Sequence, residues 1–280
     1  MTAVTLYLVG TPIGNLEDIS ARALRILGEV DLIAAEDTRR TLQLLNHFGI
    51  AKPIVSYHEH NNRTAGARLL EALAQGKSVA LVSDAGMPVV SDPGAELVAA
   101  AAEAGVPITV IPGPCAVSSA LALSGMAGGR YAFEGFLPRE GKPRRLAIEA
   151  LKTEQRTIVL YEAPHRLLKT LKDLLQALGD RHAAVCKDIT KFYERVDRLT
   201  LSEAISHFEQ TEPRGEYAVV VEGGTAEPQN TEAEELTPEE HLLRYLRQGM
   251  PKKDAVKLVA KERGVPKNEI YTIALDISVD

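Results

Sequence analysis

The first 125 residues alternate short apolar segments with segments that carry apolar residues at helical spacing. This alternation predicts strands at residues 5–10, 31–37, 53–59, 78–84 and 107–113. Several of the intervening segments end in glycine, which commonly terminates a helix. Strands joined by such short helical connections pair in parallel through right-handed crossovers. The sequence therefore predicts an α/β lobe with a mostly parallel sheet over residues 1–114.

The second half of the chain is less regular, and the rigid Pro112-Gly113-Pro114 turn is expected to act as a hinge before it. Strand candidates follow at residues 157–163, 183–189, 194–200 and 216–224. The segment at 194–200 alternates charged and apolar residues, which is typical of an antiparallel edge strand. We expect a second α/β lobe over residues 115–225.

The composition changes after Gly224, where the chain becomes polar and acidic. Three short helical patterns follow, so residues 226–280 are predicted to form an acidic linker and a small helical domain. The net charge of −6 argues against a surface that is basic throughout, so any nucleic-acid contact requires a local basic patch. Residues 244–267 form such a patch, with eight lysines or arginines against two acids.

Compartment and membrane signals point to a cytoplasmic protein. The amino terminus lacks the basic start and long apolar core of a signal peptide. No apolar run reaches the length that spans a bilayer. The two cysteines, Cys115 and Cys186, form no CxxC pair and no disulfide framework.

Loops that follow parallel strands bind ligands in open α/β sheets, and four such loops stand out here. They cover residues 11–16, 36–40, 84–88 and 112–117. Neither a GxGxxG fingerprint nor a GxxxxGK[ST] phosphate loop is present. In the third loop, Asp84-Ala85-Gly86 allows close backbone approach beside a carboxylate acceptor. Asp92 and Pro93, slightly later, are expected to cap and begin the next helix.

A metal site is not expected. His58-Glu59-His60 would place two imidazoles on one face of a strand, but no third ligand with useful spacing is visible. Cys115 is interpreted as a small buried filler and not as a nucleophile.

Seven ordered motifs, spread over nearly the whole chain, resemble the tetrapyrrole-methylase superfamily. The motifs are LYLVGTPIGNLEDIS, LIAAEDTRRT, LVSDAGMPVVSDPG, VIPGPCAVSSALALSG, FEGFLPREGKPRR, LYEAPHRL and RGEYAVVVEG. Within the superfamily, they are most similar to enzymes that methylate the ribose 2′-hydroxyl of a cytidine in the decoding region of 16S rRNA. One departure is Cys186-Lys187-Asp188, where relatives tend to carry an Arg-Glu-like pair.

The resemblance implies that S-adenosylmethionine binds in the cleft between the two lobes, and that the protein is a homodimer acting on 16S rRNA or the 30S subunit. By motif, the expected donor contacts are Pro12, Asp84, Met87, Ala116, Val117, Tyr161 and the backbone near Ala218. Carboxylate acceptors suit the ribose of the donor, and the amino terminus of a helix suits its carboxylate.

A ribose hydroxyl is a poor nucleophile until a base removes its proton. The sequence offers Glu36, Asp37, Glu162, His165, Lys191 and Glu194 as candidates. The catalytic set is taken as Asp37, Glu162, Lys191 and Glu194. Asp37 and Glu162 end strands that face the expected cleft, but the sequence does not rank the candidates.

Basic residues supply the expected RNA contacts. Arg39 and Arg40 are interpreted as phosphate clamps because a guanidinium donates a fork of hydrogen bonds. Further contacts are expected from a Gly/Pro-containing loop with Arg139, Lys142, Arg144 and Arg145, and from the tail residues Lys252, Lys253 and Lys257.

Two other functions stay open at this point. One is methylation of a tetrapyrrole or another small acceptor in the same cleft. The other is a non-catalytic, RNA-binding assembly protein that keeps the fold as a scaffold. Labelled donor mixed with 30S subunits or with a porphyrin precursor distinguishes the three.

Overall fold

The computed structural model describes residues 4–224, 236–275 and 277. The chain divides into two compact units, one over residues 1–224 and one over residues 225–280. Within the described ranges, no helix has both the length and the apolar character needed to cross a bilayer.

The first sheet is parallel throughout, with strand order β3-β2-β4-β1-β5. Its strands are β1 (Leu6–Val9), β2 (Leu32–Ala35), β3 (Ile54–Ser56), β4 (Val79–Val82) and β5 (Ile108–Ile111). The helices between them are α1 (Ala21–Glu29), α2 (Thr38–His47), α3 (Asn62–Ala74) and α4 (Ala95–Glu103). All four residues of β4 are buried, because alternate side chains enter the two apolar clusters on opposite faces of the sheet. The predicted parallel α/β lobe is confirmed.

The second sheet is mixed, with strand order β6-β7-β10-β8-β9. Its strands are β6 (Tyr131–Phe136), β7 (Thr157–Glu162), β8 (His182–Lys187), β9 (Arg195–Thr200) and β10 (Tyr217–Val221). Only β6 and β7 pair in parallel. Strand β9 lies at an edge and pairs antiparallel with β8, as its charge alternation predicted.

Four helices cover the second sheet, and they are α5 (Ala116–Ser124), α6 (Gly141–Ala150), α7 (Pro164–Leu178) and α8 (Leu201–Gln210). Helix α5 packs on one face, where its apolar residues join Ala218 and Val220 of β10. Helices α7 and α8 pack on the other face, which carries Val219 and Val221. Alternate residues of one strand therefore build both halves of this core.

Two elements of the second lobe depart from the sequence prediction. Strand β6 was missed because a bulge between Phe133 and Gly135 interrupts its alternation of polar and apolar residues. The expected basic loop at Arg139–Arg145 is wrong, since α6 begins at Gly141. Pro143 lies in the first turn of that helix, where its missing N–H has no intrahelical partner to lose.

The expected cap of α4 is also wrong. The helix begins at Ala95, and Gly94 is its N-cap residue with a φ of +140° and no side-chain hydrogen bond. Asp92 lies two residues before Gly94 and therefore outside the helix.

The unit over residues 225–280 has a core of its own. Its helices are α9 (Pro238–Arg247), α10 (Lys252–Glu262) and α11 (Lys267–Leu275). Leu242, Val256, Val259 and Ile270 are almost fully buried among them. Thr237 and Glu240 form a reciprocal capping box at the start of α9.

Candidate active site

The loops at the carboxyl ends of the first sheet are held together by backbone contacts. The Thr11 N–H donates to the Gly86 carbonyl at 2.9 Å, and the Gly86 N–H donates to the Thr11 carbonyl at 3.1 Å. At the ends of β1 and β5, a Cβ on Gly10 would lie 2.8 Å from the Gly113 Cα. The loops that follow β1, β4 and β5 therefore approach one another so closely that only glycine fits at this point.

Asp84 joins the loop after β4 to the loop after β2. Its Oδ1 atom accepts a hydrogen bond from the Asp37 N–H at 2.8 Å. Its Oδ2 atom lies 3.5 Å from the Arg40 guanidinium, and the side chain keeps 26 % of its exposure. Asp84 therefore stabilises the loop geometry and still presents acceptor capacity to a ligand.

A cavity of about 430 Å³ lies between the two sheets, beside Asp84. This volume falls within the roughly 300–1,000 Å³ of small-molecule sites. The first lobe lines it with Ile13, Glu36, Arg40, the loop from Asp84 to Met87, and Val90 to Asp92. The second lobe contributes the start of α5, the ends of β6 and β7, Ile189 and the start of β10.

Carboxylates form one side of the cavity, and their environment alters their acidity. Burial, followed by the charge of Asp84, raises the pKa of Glu36 above its usual value. Burial and the charge of Glu36 raise the pKa of Asp92 to about 6. The cavity therefore holds acids that change charge closer to neutral pH than ordinary carboxyls do.

The second lobe contributes aromatic and apolar residues to the cavity. Phe136 and Tyr161 pack with ring centroids 5.6 Å apart, and Ala116 and Ala218 leave space beside them. Burial raises the pKa of the Tyr161 phenol. Apolar residues and acceptors in one cavity suit a ligand with both a polar sugar and an apolar arm.

Five of the seven residues expected to contact the donor line this cavity, namely Asp84, Met87, Ala116, Tyr161 and Ala218. Pro12 lies in an adjoining groove that shares Arg40 and Asp84 with the cavity. Val117 is buried in the core and is not part of the cavity lining.

Of the four residues in the catalytic set, Glu162 alone lines the cavity. Its carboxylate is buried and accepts from the Thr170 hydroxyl at 2.5 Å and from the Ala163 N–H at 2.9 Å. The Arg166 guanidinium lies 3.2 Å away. These contacts occupy both oxygens and hold the start of α7.

The other three members of that set are engaged in their own loops. Asp37 caps α2, and hydrogen bonds from Arg39 hold the pKa of its carboxyl below the usual value. Lys191 pairs with Glu216 at 2.8 Å and with Asp188 at 3.3 Å. Glu194 accepts from the Thr190 N–H at 2.6 Å. Glu36 lines the cavity, whereas His165 is exposed outside it.

Sequence reasoning missed Asp92 and Glu216 as cavity residues. Asp92 lies in the same motif as Asp84, but its position before a helix favoured a cap. Glu216 follows Gly215 in the RGEYAVVVEG motif, which indicated a donor contact only at the backbone near Ala218. Its ion pair with Lys191 depends on tertiary contacts that no local pattern reveals.

All but one of the residues expected to contact RNA have exposed side chains. Arg40 lines the cavity, and the other exposed side chains are Arg39, Arg139, Lys142, Arg145, Lys252, Lys253 and Lys257. Arg144 is the correction, because it is 3 % exposed and donates to Asp173, Thr170 and the Pro138 carbonyl. Its guanidinium ties α6 to α7 and is not available to a phosphate.

No group of three or more histidine, cysteine or acidic side chains in the described part of the chain could hold a metal ion. His58 and His60 lie with ring centroids 5.9 Å apart, and Asn61 accepts from the His58 N–H at 2.8 Å.

Comparison with known proteins agrees with this architecture. Residues 5–205 match the tetrapyrrole (corrin/porphyrin) methylases, and residues 233–278 match the RsmI C-terminal HTH domain. A ribosomal RNA small subunit methyltransferase I from Halalkalibacterium halodurans is 50 % identical over 271 residues, which cover 96 % of this chain and 94 % of that protein. The chain belongs to the ribosomal RNA small subunit methyltransferase I family.

A second relative belongs to the same family, and solved structures of other methyltransferases and of diphthine synthase share the fold. The methyltransferase I of Bacillus subtilis is 47 % identical, covering 95 % of this chain and 92 % of that protein. Uroporphyrin-III C-methyl transferase from Thermus thermophilus, in complex with S-adenyl homocysteine, has a TM-score of 0.56 at 25 % identity, covering 78 % of this chain and 97 % of that one. Diphthine synthase shares the fold alone, with a TM-score of 0.62 at 19 % identity, covering 79 % and 90 %.

Proposed function

We propose that this protein transfers a methyl group from S-adenosylmethionine to the ribose 2′-hydroxyl of a cytidine in the decoding region of 16S rRNA. The observation that carries the proposal is the cavity between the two sheets, lined by the motifs that mark the ribosomal RNA small subunit methyltransferase I family. The same proposal places the protein in the cytoplasm, with 16S rRNA or the 30S subunit as partner and a homodimer as its working form.

The residues present fit the donor. Asp84 offers acceptors to a ribose, and Ala116 and Ala218 leave room beside the Tyr161 ring for an apolar arm. Helix α5 begins at Ala116 without a side-chain cap, so its first N–H groups favour a carboxylate. When bound, S-adenosylmethionine supplies an activated methyl group on a positively charged sulfur, which suits carboxylates and aromatic faces.

Proton removal from the acceptor hydroxyl is assigned to the carboxylates that line the cavity. Glu36 and Asp92 are not tied into helix caps, in contrast to Asp37. Their raised pKa values bring them closer to the working pH, which favours a general base. Positioning of the hydroxyl against the donor supplies much of the remaining acceleration.

Phosphate contacts are assigned to Arg40 at the cavity and to Arg39 beside it. Arg139, Lys142 and Arg145 add exposed positive charge before and along the first turns of α6. An RNA acceptor reaches such a cavity as a splayed nucleotide from a loop or an irregular helix.

The test uses labelled S-adenosylmethionine with three acceptors: 30S subunits, protein-free 16S rRNA and a porphyrin precursor. We expect label in small-subunit RNA and none in the porphyrin. Label in the porphyrin alone would favour the small-acceptor alternative. No label anywhere, with donor binding intact, would favour a non-catalytic assembly role.

A further inference from the structure

The loop between β8 and β9 presents two adjacent aromatic side chains to solvent. Phe192 is 92 % exposed and Tyr193 is 74 % exposed, the highest values among the large apolar side chains in the described residues. Their ring centroids lie 4.9 Å apart in an edge-to-face arrangement. Almost the whole surface of the Phe192 side chain is therefore open to solvent.

The loop that carries this pair is stiff. Asp188 and Thr190 have φ values of 48° and 65°, in the left-handed region that non-glycine residues adopt infrequently. Lys191 is held by Asp188 and Glu216, and Glu194 accepts from the Thr190 N–H. Strained backbone fixed by ion pairs is typical of functional segments and not of a floppy loop tip.

The loop also adjoins the cavity. Ile189 lines the cavity, and Glu216, the partner of Lys191, lines it as well. On the first lobe, the chain at Gly14 comes so close that a Cβ there would lie 2.6 Å from the Lys191 Cγ. Because three residues span at most about 11 Å, the Cα atom of Phe192 lies within that distance of the Cα atom of Ile189.

We propose that Phe192 and Tyr193 form a stacking site for an unpaired RNA base that neighbours the methylated nucleotide. The inference rests on the proposed function, because a splayed target leaves its neighbouring bases without their own stacking partners. Bases stack on aromatic side chains without regard to sequence. An aromatic pair on this anchored loop, beside the cavity, would therefore hold the strand while the target ribose enters.

The test exploits the absence of tryptophan from this chain. Phe192→Trp keeps a stacking face and adds a single indole, whereas Phe192→Leu keeps apolar bulk and removes the ring. We expect 30S subunits to quench the indole fluorescence of F192W. We expect the KM for 30S subunits to rise about 5- to 150-fold in F192L and to stay near the wild-type value in F192W.

A matched control is Tyr131→Ala, because Tyr131 is exposed at the start of β6 while Phe136, at the end of that strand, lines the cavity. It should leave the KM unchanged. Donor affinity by calorimetry and molar mass by light scattering should match wild type in all three variants.

Equal KM values for F192L and wild type, or an unquenched indole, would overturn the stacking site. A dimer that becomes monomeric in F192L would assign the pair to contact with a second copy instead. The quenching measurement needs no methyl transfer, so failure of the proposed reaction and failure of this inference give different results.

Discussion

At the scale of single residues, Asp84 links loop geometry to donor binding. Asp84→Asn keeps an acceptor for the Asp37 N–H and removes the negative charge. We expect donor affinity to fall about 10- to 150-fold, equivalent to the roughly 1.5–3 kcal/mol of a hydrogen bond to a charged group. Calorimetric titration with S-adenosylmethionine measures this loss.

Asp31 supplies the matched control for Asp84. It joins the residues just before β2 and β4, whereas Asp84 joins the loops that follow these two strands. It accepts from the Ser78 N–H at 2.7 Å and from the Ser78 hydroxyl at 2.9 Å. Asp31→Asn should lower the unfolding temperature and leave donor affinity unchanged. A folded Asp84→Asn variant with wild-type affinity would contradict the donor assignment.

Asp92 gives a pH dependence with a definite sign. Burial and Glu36 raise its pKa from 3.8 to about 6, so the folded state binds more protons than the unfolded chain between these values. The free energy of unfolding therefore falls as pH rises through this range. Asp92→Asn removes that loss, so it should be more stable than wild type at about pH 7 and similar at about pH 4. Urea unfolding at both pH values checks this, and identical pH dependence in both proteins would contradict it.

Asp92 should also determine how the rate of methyl transfer depends on pH. If Asp92 accepts the hydroxyl proton, methyl transfer by the wild type rises with pH through about 6, as the carboxylate forms. Single-turnover rates measured with saturating 30S subunits isolate this step. A profile that is flat across that range would assign the proton acceptor to another group.

At the scale of elements, helix α6 carries two adjacent arginines with different roles, a buried structural one and an exposed one. Arg144→Ala removes the buried guanidinium that donates to Asp173, Thr170 and the Pro138 carbonyl, so the free energy of unfolding should fall by about 1.5–3 kcal/mol, the range for hydrogen bonds to a charged group. Arg145→Ala, one residue later and exposed, should change stability little and weaken RNA binding. Denaturant unfolding and filter binding distinguish them, and equal stability of the two variants would contradict the burial argument.

Secondary structure was predictable where burial imposed a regular pattern. The four buried residues of β4 and the other short apolar runs of the first sheet were correctly predicted as strands. The observed ends of these strands differ from the predicted ends by only one to three residues. Strand β6 was not predicted because a bulge interrupts its pattern. Helix α6 was not predicted because its first residues, Gly-Lys-Pro, resemble a loop sequence. Local patterns fail where a single irregular residue breaks the period.

The site was predictable as a set of loops, but the state of each side chain was not. Strand ends placed Asp84 and Glu36 at one edge of the sheet. The burial of Arg144 and the pairing of Lys191 with Glu216 depend on residues 25 or more positions away. Such partners follow from the packing of whole elements, which one sequence does not specify.

At the scale of the molecule, the two compact units predict a separable tail. Because α9, α10 and α11 bury their own core, a chain ending at residue 225 should fold and bind the donor as tightly as the full protein. Its affinity for 30S subunits should fall, and the salt dependence of that binding should flatten, since Lys252, Lys253 and Lys257 are removed. Methylation by the shortened chain at the full rate would exclude the tail from substrate binding.

The position of the transferred methyl group tests the central claim most directly. Small-subunit RNA labelled by the protein is digested with nuclease and analysed by mass spectrometry, and a second portion is treated with alkali. We predict one methylated cytidine with the added mass on its ribose, and resistance to alkaline cleavage at that nucleotide because the 2′-oxygen is blocked. A methyl group on the base, with cleavage retained, or no label in small-subunit RNA would contradict the account.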